Sequence, residues 1–362
     1  MFALAALNNP PLVRVGRSVG APTAGRLRSL QILQILSARA RATMALPRVG
    51  GFFAGRATPW RSVAVQSPCF STSAPSSPVL TEADGGVLTL TMNNPKRYNA
   101  WTEKMMLALQ GALDDAAEDN TTRVVVLTGT DPYYCAGVDL ASVIKPMHPK
   151  ELYELIRSKN EQLFEMFLKF PKPIIAAING PAIGASVTSS TLCDAVVAAD
   201  VATLSTPFAK LGVPPEGCSS IVFDRRMGAA TAQRMLGDEG WAPTAAEAKA
   251  AGFHPEMLVV PREDLLPAAR GLAAEWIEDG RAAEGVPREL HARDGGTALA
   301  ELRETNARES ADLAHAFLSH KFLANQRDFL SSKKKSGPAL MFRVLAAAAE
   351  HNVWTRLAGV DQ

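Results

Sequence analysis

A single carboxylate stands in Leu211-Gly212-Val213-Pro214-Pro215-Glu216-Gly217-Cys218-Ser219-Ser220, a stretch with no other charge. The ordinary fate of a loop Glu is exposure to water. Placed among apolar groups instead, Glu216 would have a raised pKa, because burial disfavours the charged form. A carboxylate so tuned makes a better base near neutral pH. Two upstream segments have the composition to present backbone N–H groups. In Tyr133-Tyr134-Cys135-Ala136-Gly137-Val138-Asp139-Leu140, Ala-Gly lets the chain turn tightly, so that the Val138 N–H would point outward. The plain alternative is a strand-to-helix loop with Asp139 as a helix cap. In Asn179-Gly180-Pro181-Ala182-Ile183-Gly184-Ala185-Ser186, small residues open a helix whose free N–H groups favour a developing negative charge. Ala185 N–H is placed to be a second donor; the plain alternative is a helix packed on a sheet. One base with two N–H donors is the minimum set for moving a proton beside a thioester carbonyl. Two donors stabilise an enolate, and losing one typically raises the barrier by about 2.7–4 kcal/mol.

These groups must be held by regular elements. Val87–Met92 alternates in strand fashion. Trp101 to Asp119 is expected to be a helix with Leu107, Leu109 and Leu113 on its apolar face and Thr102 as N-cap. Arg123 to Thr128 and Pro173 to Ile178 are short, nearly all-apolar runs, which suit strands buried on both faces. Ala195 to Ala199 is a third such strand. Helices are expected over Glu151 to Phe170 and Gly184 to Leu192. Buried strands alternating with helices define an α/β fold. From Ala229 helical patterns dominate: Ala229 to Leu236, Thr244 to Ala251, Glu263 to Asp279, one long helix from Ala298 to Leu330, and an alanine-rich helix from Pro338 to Trp354. The expected organisation is a core over 76–260 and a helical region over 261–362.

Composition narrows the classes. Of 362 residues, 47% are hydrophobic, ample for a core, and 20% are charged. No apolar run reaches the roughly 18 residues that span a bilayer. Cys69, Cys135, Cys193 and Cys218 have no paired spacing and the six His are scattered. Neither a disulfide framework nor a zinc motif is expected, and a reducing compartment is. The net charge of +2 conceals an asymmetry: residues 1–81 hold nine Arg and no acid, leaving 29 basic against 36 acidic residues elsewhere. That acidic remainder gives no basic face for nucleic acid. The first 75 residues, rich in Arg and Ser and free of Asp, Glu and Lys, have the composition of an organellar transit peptide. Gln31 to Arg41 would form a short amphipathic helix. Pro68-Cys69-Phe70-Ser71 resembles a mitochondrial processing site, so the mitochondrial matrix is the expected location, ahead of plastid or peroxisome. Gly359-Val360-Asp361-Gln362 is not a peroxisomal Ser-Lys-Leu address.

From Val87 to Val260, and more weakly to Lys335, the chain resembles the enoyl-CoA hydratase/isomerase (crotonase) superfamily. Four ordered segments carry the resemblance: Asn94-Pro95-Lys96-Arg97-Tyr98-Asn99-Ala100, the loop Cys135 to Leu140, Asn179 to Gly184, and Thr206-Pro207-Phe208 with Leu211-Gly212 and Pro215-Glu216-Gly217. It implies a crotonase-type spiral of ββα units with a helical C-terminal trimerisation region. Hydratases of the superfamily carry two catalytic glutamates, at the positions where this chain has Thr188 and Phe208. The Δ3,Δ2-enoyl-CoA isomerases place one glutamate where Glu216 stands, and Pro214 to Ser220 is similar to their type-2 branch. Some members of that branch carry an N-terminal acyl-CoA-binding domain, for which the segment before Val87 has no suitable composition.

The resemblance implies Glu216 as the proton carrier, with Val138 and Ala185 N–H as the oxyanion donors. It implies CoA bound around Lys96, Ala136, Gly137, Asp139, Leu140, Ala141 and Gly184. It implies no cofactor or metal, an acyl-CoA substrate, and a homotrimer or dimer of trimers. The Lys333–Lys335 run could meet CoA phosphates or be a solvated patch. A hydratase, a thioester hydrolase and a non-catalytic acyl-CoA-binding protein are the competing readings.

Overall fold

The β-branched runs pair side by side. The structure, a computed structural model, describes residues 77–139, 147–284, 286, 288, 297–332 and 336–350. Among these are eight strands: β1 (Val79–Asp84), β2 (Val87–Met92), β3 (Val124–Gly129), β4 (Ile174–Ile178), β5 (Ala182–Ile183), β6 (Ala195–Ala199), β7 (Leu204–Ser205) and β8 (Met257–Val260). Six form one sheet in the order β1-β2-β3-β4-β6-β8, parallel except for the β1–β2 hairpin, and β5 pairs with β7 in a second sheet. Every residue of β3, β4 and β6 is buried, as expected where helices cover both faces of a parallel sheet.

The helices are α1 (Glu103–Glu118), α2 (Pro149–Lys169), α3 (Ala185–Ser190), α4 (Phe208–Leu211), α5 (Ser219–Met227), α6 (Ala229–Leu236), α7 (Ala245–Ala250), α8 (Leu265–Glu278), α9 (Thr297–Leu318), α10 (His320–Ser332) and α11 (Ser336–Glu350). Successive strand residues face opposite layers. Val125 and Leu127 pack with α1 and α2, whereas Val124 and Val126 pack with Leu265, Ala269, Ala273 and Trp276 of α8. A third cluster joins Leu152 and Ile156 of α2 to Leu313 and Phe317 of α9, Phe322 of α10 and Phe342 of α11. Twice the chain runs from the large sheet through the small one into a helix, as β4–β5–α3 and β6–β7–α4. This is the expected ββα unit, and each time the turn out of the small sheet leads into the cleft described below. All described residues fall in one compact unit.

Several sequence-based expectations need correction. Leu109 and Leu113 are buried on α1 as expected, with Met105 and Ala116 beside them, but Leu107 is exposed on the opposite side of the helix. Thr102 does cap α1, accepting a hydrogen bond from Met105 N–H at 3.2 Å. The long helix expected over Ala298 to Leu330 is two, because Ser319 ends one and caps the next. Its hydroxyl donates to Ala316 O at 2.7 Å and accepts from Phe322 N–H at 3.2 Å. β1 was not anticipated from the sequence. The last helix is described to Glu350. The segment expected to be a transit peptide, Leu140, Ala141, Lys333–Lys335 and the chain beyond Glu350 lie outside the described residues.

Candidate active site

The two N–H-presenting loops meet through β5. Cys135 bridges Ala182, and Ile183 N–H donates to Cys135 O at 3.0 Å. Gly137 turns with φ +78°, and a Cβ there would lie 2.6 Å from the Ile183 carbonyl oxygen, so only glycine lets the loops touch. Val138 follows Gly137, and Ala185 opens α3. Among the described residues neither the Val138 nor the Ala185 N–H has an acceptor. Both residues line a cleft of about 800 Å³, part of it open to solvent. Glu216 lines the same cleft, with Gly137 and Gly184. The remaining wall is chiefly apolar: Ile156, Leu163, Phe208, Leu211, Leu313 and Phe317, with Lys159 and Asn160 as its polar members.

Glu216 is 7% exposed, not solvated. Burial pushes its carboxyl up to about 8, and the nearby Glu309 carboxylate adds to the effect. Among the described residues its side chain accepts no hydrogen bond that would offset this. The backbone carrying it is tightly turned: Gly217 has φ +67° and Cys218 φ +63°. A Cβ at Gly217 would collide with the Phe164 ring and lie 2.6 Å from Thr188 Oγ1. Thr188 is therefore packed beneath the Glu216 turn, with its hydroxyl donating to Ala185 O at 3.2 Å. Phe208 is buried and presents to the cleft.

Three other expected residues lie outside the cleft wall. Ala136 is buried behind the cleft wall, its N–H donating to Tyr98 O. The Asp139 side chain is buried and ion-paired with Arg97 at 2.6 Å; it caps no described helix. Lys96 is exposed on the short 3-10 turn Pro95–Arg97, outside the cleft wall.

Sequence reasoning passed over Glu309. This buried residue of α9 accepts hydrogen bonds from Cys218 N–H at 2.6 Å and Ser220 N–H at 2.9 Å. It is 91 residues from Cys218 and sits in an ordinary polar helix pattern, so no local signal marks it. Burial raises its carboxyl too, against the two backbone donors.

The layered sheets and the loop pair with its buried carboxylate define a class. The chain matches the enoyl-CoA hydratase/isomerase family over residues 82–320. It belongs to that family, and its fold is the crotonase fold. Enoyl-CoA delta isomerase 2 of Homo sapiens is 41% identical over 182 residues, 49% of this chain and 45% of that one. The peroxisomal enoyl-CoA delta isomerase 3 of Mus musculus is 38% identical over 161 residues, 44% of this chain and 50% of that one. The chain thus spans half or less of these two relatives. The crystal structure of the enoyl-CoA hydratase/isomerase from Pseudoalteromonas atlantica T6c is 26% identical with a TM-score of 0.60, covering 70% of this chain and 97% of that one.

Proposed function

We propose that the protein isomerises 3-enoyl-CoA to trans-2-enoyl-CoA by a one-glutamate proton shuttle, as a step in fatty-acid β-oxidation. The observation that carries this reading is one buried carboxylate, Glu216, sharing a largely apolar cleft with two N–H groups that have no acceptor among the described residues. The thioester oxygen accepts from Val138 and Ala185 N–H. Glu216 takes a C2 proton; the C2–H electron pair delocalises into a dienolate whose charge the two donors hold. The carboxyl returns the proton at C4, and the double bond comes to rest between C2 and C3. The acyl chain lies along Leu163, Leu211, Leu313 and Phe317. The CoA portion passes Lys96 and the loop from Ala136 to Asp139, as the resemblance implies.

Adding water needs a second group to orient and deprotonate it. Thr188 and Phe208 stand where the hydratases of the family carry glutamates. Glu309, the other carboxylate nearby, has both oxygens engaged by backbone donors. This argues for the isomerase over the hydratase reading. We further propose a homotrimer, and delivery to the mitochondrial matrix by the Arg-rich first 75 residues. The reading is tested by incubating purified protein with 3-hexenoyl-CoA and, separately, crotonyl-CoA. Appearance of the 2-enoyl product with negligible hydration supports it; hydration without isomerisation refutes it.

A further inference from the structure

Glu309 takes no part in the proton shuttle, yet its two oxygens are spent on the segment that carries the base. Cys218 and Ser220 N–H belong to the start of α5, where first-turn donors have no partner within the helix. A non-glycine residue in the left-handed region, such as Cys218 at φ +63°, is uncommon and persists where its surroundings hold it. Those surroundings come from α9: Glu309 receives the Cys218 N–H, and Cys218 Sγ donates to Leu302 O at 3.1 Å. Ser219 Oγ closes the turn by donating to Glu216 O at 2.8 Å. α9 is itself fixed on α2, where Asn160 Nδ2 donates to Ser310 Oγ and Asn306 Nδ2 to Glu161 O.

We infer that Glu309 is a positioning residue for the proposed reaction: it clamps the Glu216–Ser220 turn through two hydrogen bonds and sets a second negative charge behind the base. Of the two buried carboxyls, Glu309 has the donors that favour the anion, so a proton shared between them resides on Glu216. The other charges around the pair are Arg308 on α9, which favours the Glu309 anion, and, on α2, Glu165, paired with Arg303, and Lys159 on the cleft wall. The clamp makes the site depend on a helix outside the sheet-and-loop framework.

The inference rests on the isomerase reading, and two variants of the full-length protein separate length from charge. Glu309→Gln keeps the length and removes the charge. The acid limb of its kcat–pH profile should move down by about one pH unit, with kcat reduced ~10- to 100-fold by the loosened turn and KM little changed. Glu309→Asp keeps the charge and loses the reach; kcat should fall on the same scale while the acid limb stays where it is in the parent. A parallel infrared titration of the Glu216 carboxyl, assigned with Glu216→Gln, reads the same shift without turnover. An inactive parent protein overturns the isomerase reading, and the titration still decides the clamp. A Glu309→Gln protein with the parent's titration and pH profile overturns the clamp. If that variant does not fold, parent-like kcat in Glu309→Asp overturns it, and failure of both to fold makes Glu309 a residue of stability only, which overturns it too.

Discussion

The carbonyl of Ile183 presses against the α-carbon of Gly137 so closely that a methyl group on Gly137 would sit 2.6 Å from its oxygen. That contact sets Val138 and Ala185 on one wall, although they belong to loops that follow different strands. The contact between the loops holds the two N–H groups side by side, and preorganised donors stabilise developing charge most. Replacing Ala185 by proline removes one donor at the first position of α3, where a proline ring is tolerated. We expect kcat to fall about 10²- to 10³-fold with little change in the thermal melt. Activity within a factor of two of the parent would remove Ala185 from the oxyanion site.

Glu216→Gln deletes the only proton carrier in the proposed shuttle. Isomerisation of 3-hexenoyl-CoA should drop at least ~10³-fold, measured by coupled assay, with the cleft still able to bind acyl-CoA. In the parent the base must be ionised, so kcat/KM should rise with pH through about 8. A flat profile between pH 6 and 9 would contradict this assignment.

The same carboxyl links stability to pH. Its ordinary value of 4.5 is raised to about 8 in the fold. Below 4.5 the folded and unfolded chains both hold the proton and the fold bears no penalty. As pH rises from 4.5 towards 8 the unfolded chain gains by releasing it, so stability falls, by on the order of 5 kcal/mol in total. Glu216→Gln has no such proton. Its melting temperature should exceed the parent's by a margin that opens between pH 5 and 8 and then stays constant. A margin independent of pH would show that the carboxyl is not buried as described.

How much of this could be read from the sequence depends on distance along the chain. The strands β3, β4 and β6, the Thr102 cap and the two N–H-presenting loops are local patterns of burial, capping and backbone freedom. Each was legible from a few neighbouring residues. Leu109 and Leu113 are buried as expected, but Leu107 lies two residues from Leu109, about 200° round the helix, so the helical period itself sets it on the opposite, exposed side. The break at Ser319 depends on a single hydroxyl choosing between two helices. Glu309 was illegible in principle, because its partners are backbone N–H groups that any sequence possesses, and what selects them is the docking of α9.

Thr188 offers a test of how the family's alternatives are excluded. A glutamate there, the hydratase arrangement, would have to fit beneath Gly217, in a space so tight that a Cβ added to that glycine would lie 2.6 Å from the Thr188 hydroxyl. Thr188→Glu should gain no crotonyl-CoA hydration and should lose about 3–5 kcal/mol of stability, as for a buried charge without a partner. A folded variant that hydrates crotonyl-CoA would mean the turn can move aside.

Leu211 lines the cleft but is only half-buried, so a larger side chain can be tested there without disrupting the core. Leu211→Trp should lower kcat/KM for 3-decenoyl-CoA at least ~10-fold more than for 3-hexenoyl-CoA. Equal losses for both chain lengths would place the acyl tail elsewhere.

Because Glu309 lies 91 residues beyond Cys218, the proposed site also has a timetable. At the usual pace of translation, about 5–20 residues per second, Glu309 leaves the ribosome's reaction centre roughly 5–20 s after the segment it holds. For that interval the nascent chain holds Glu216 and both N–H-presenting loops but not Glu309. On the proposed mechanism, the centre becomes competent only once α9 has been made and docked.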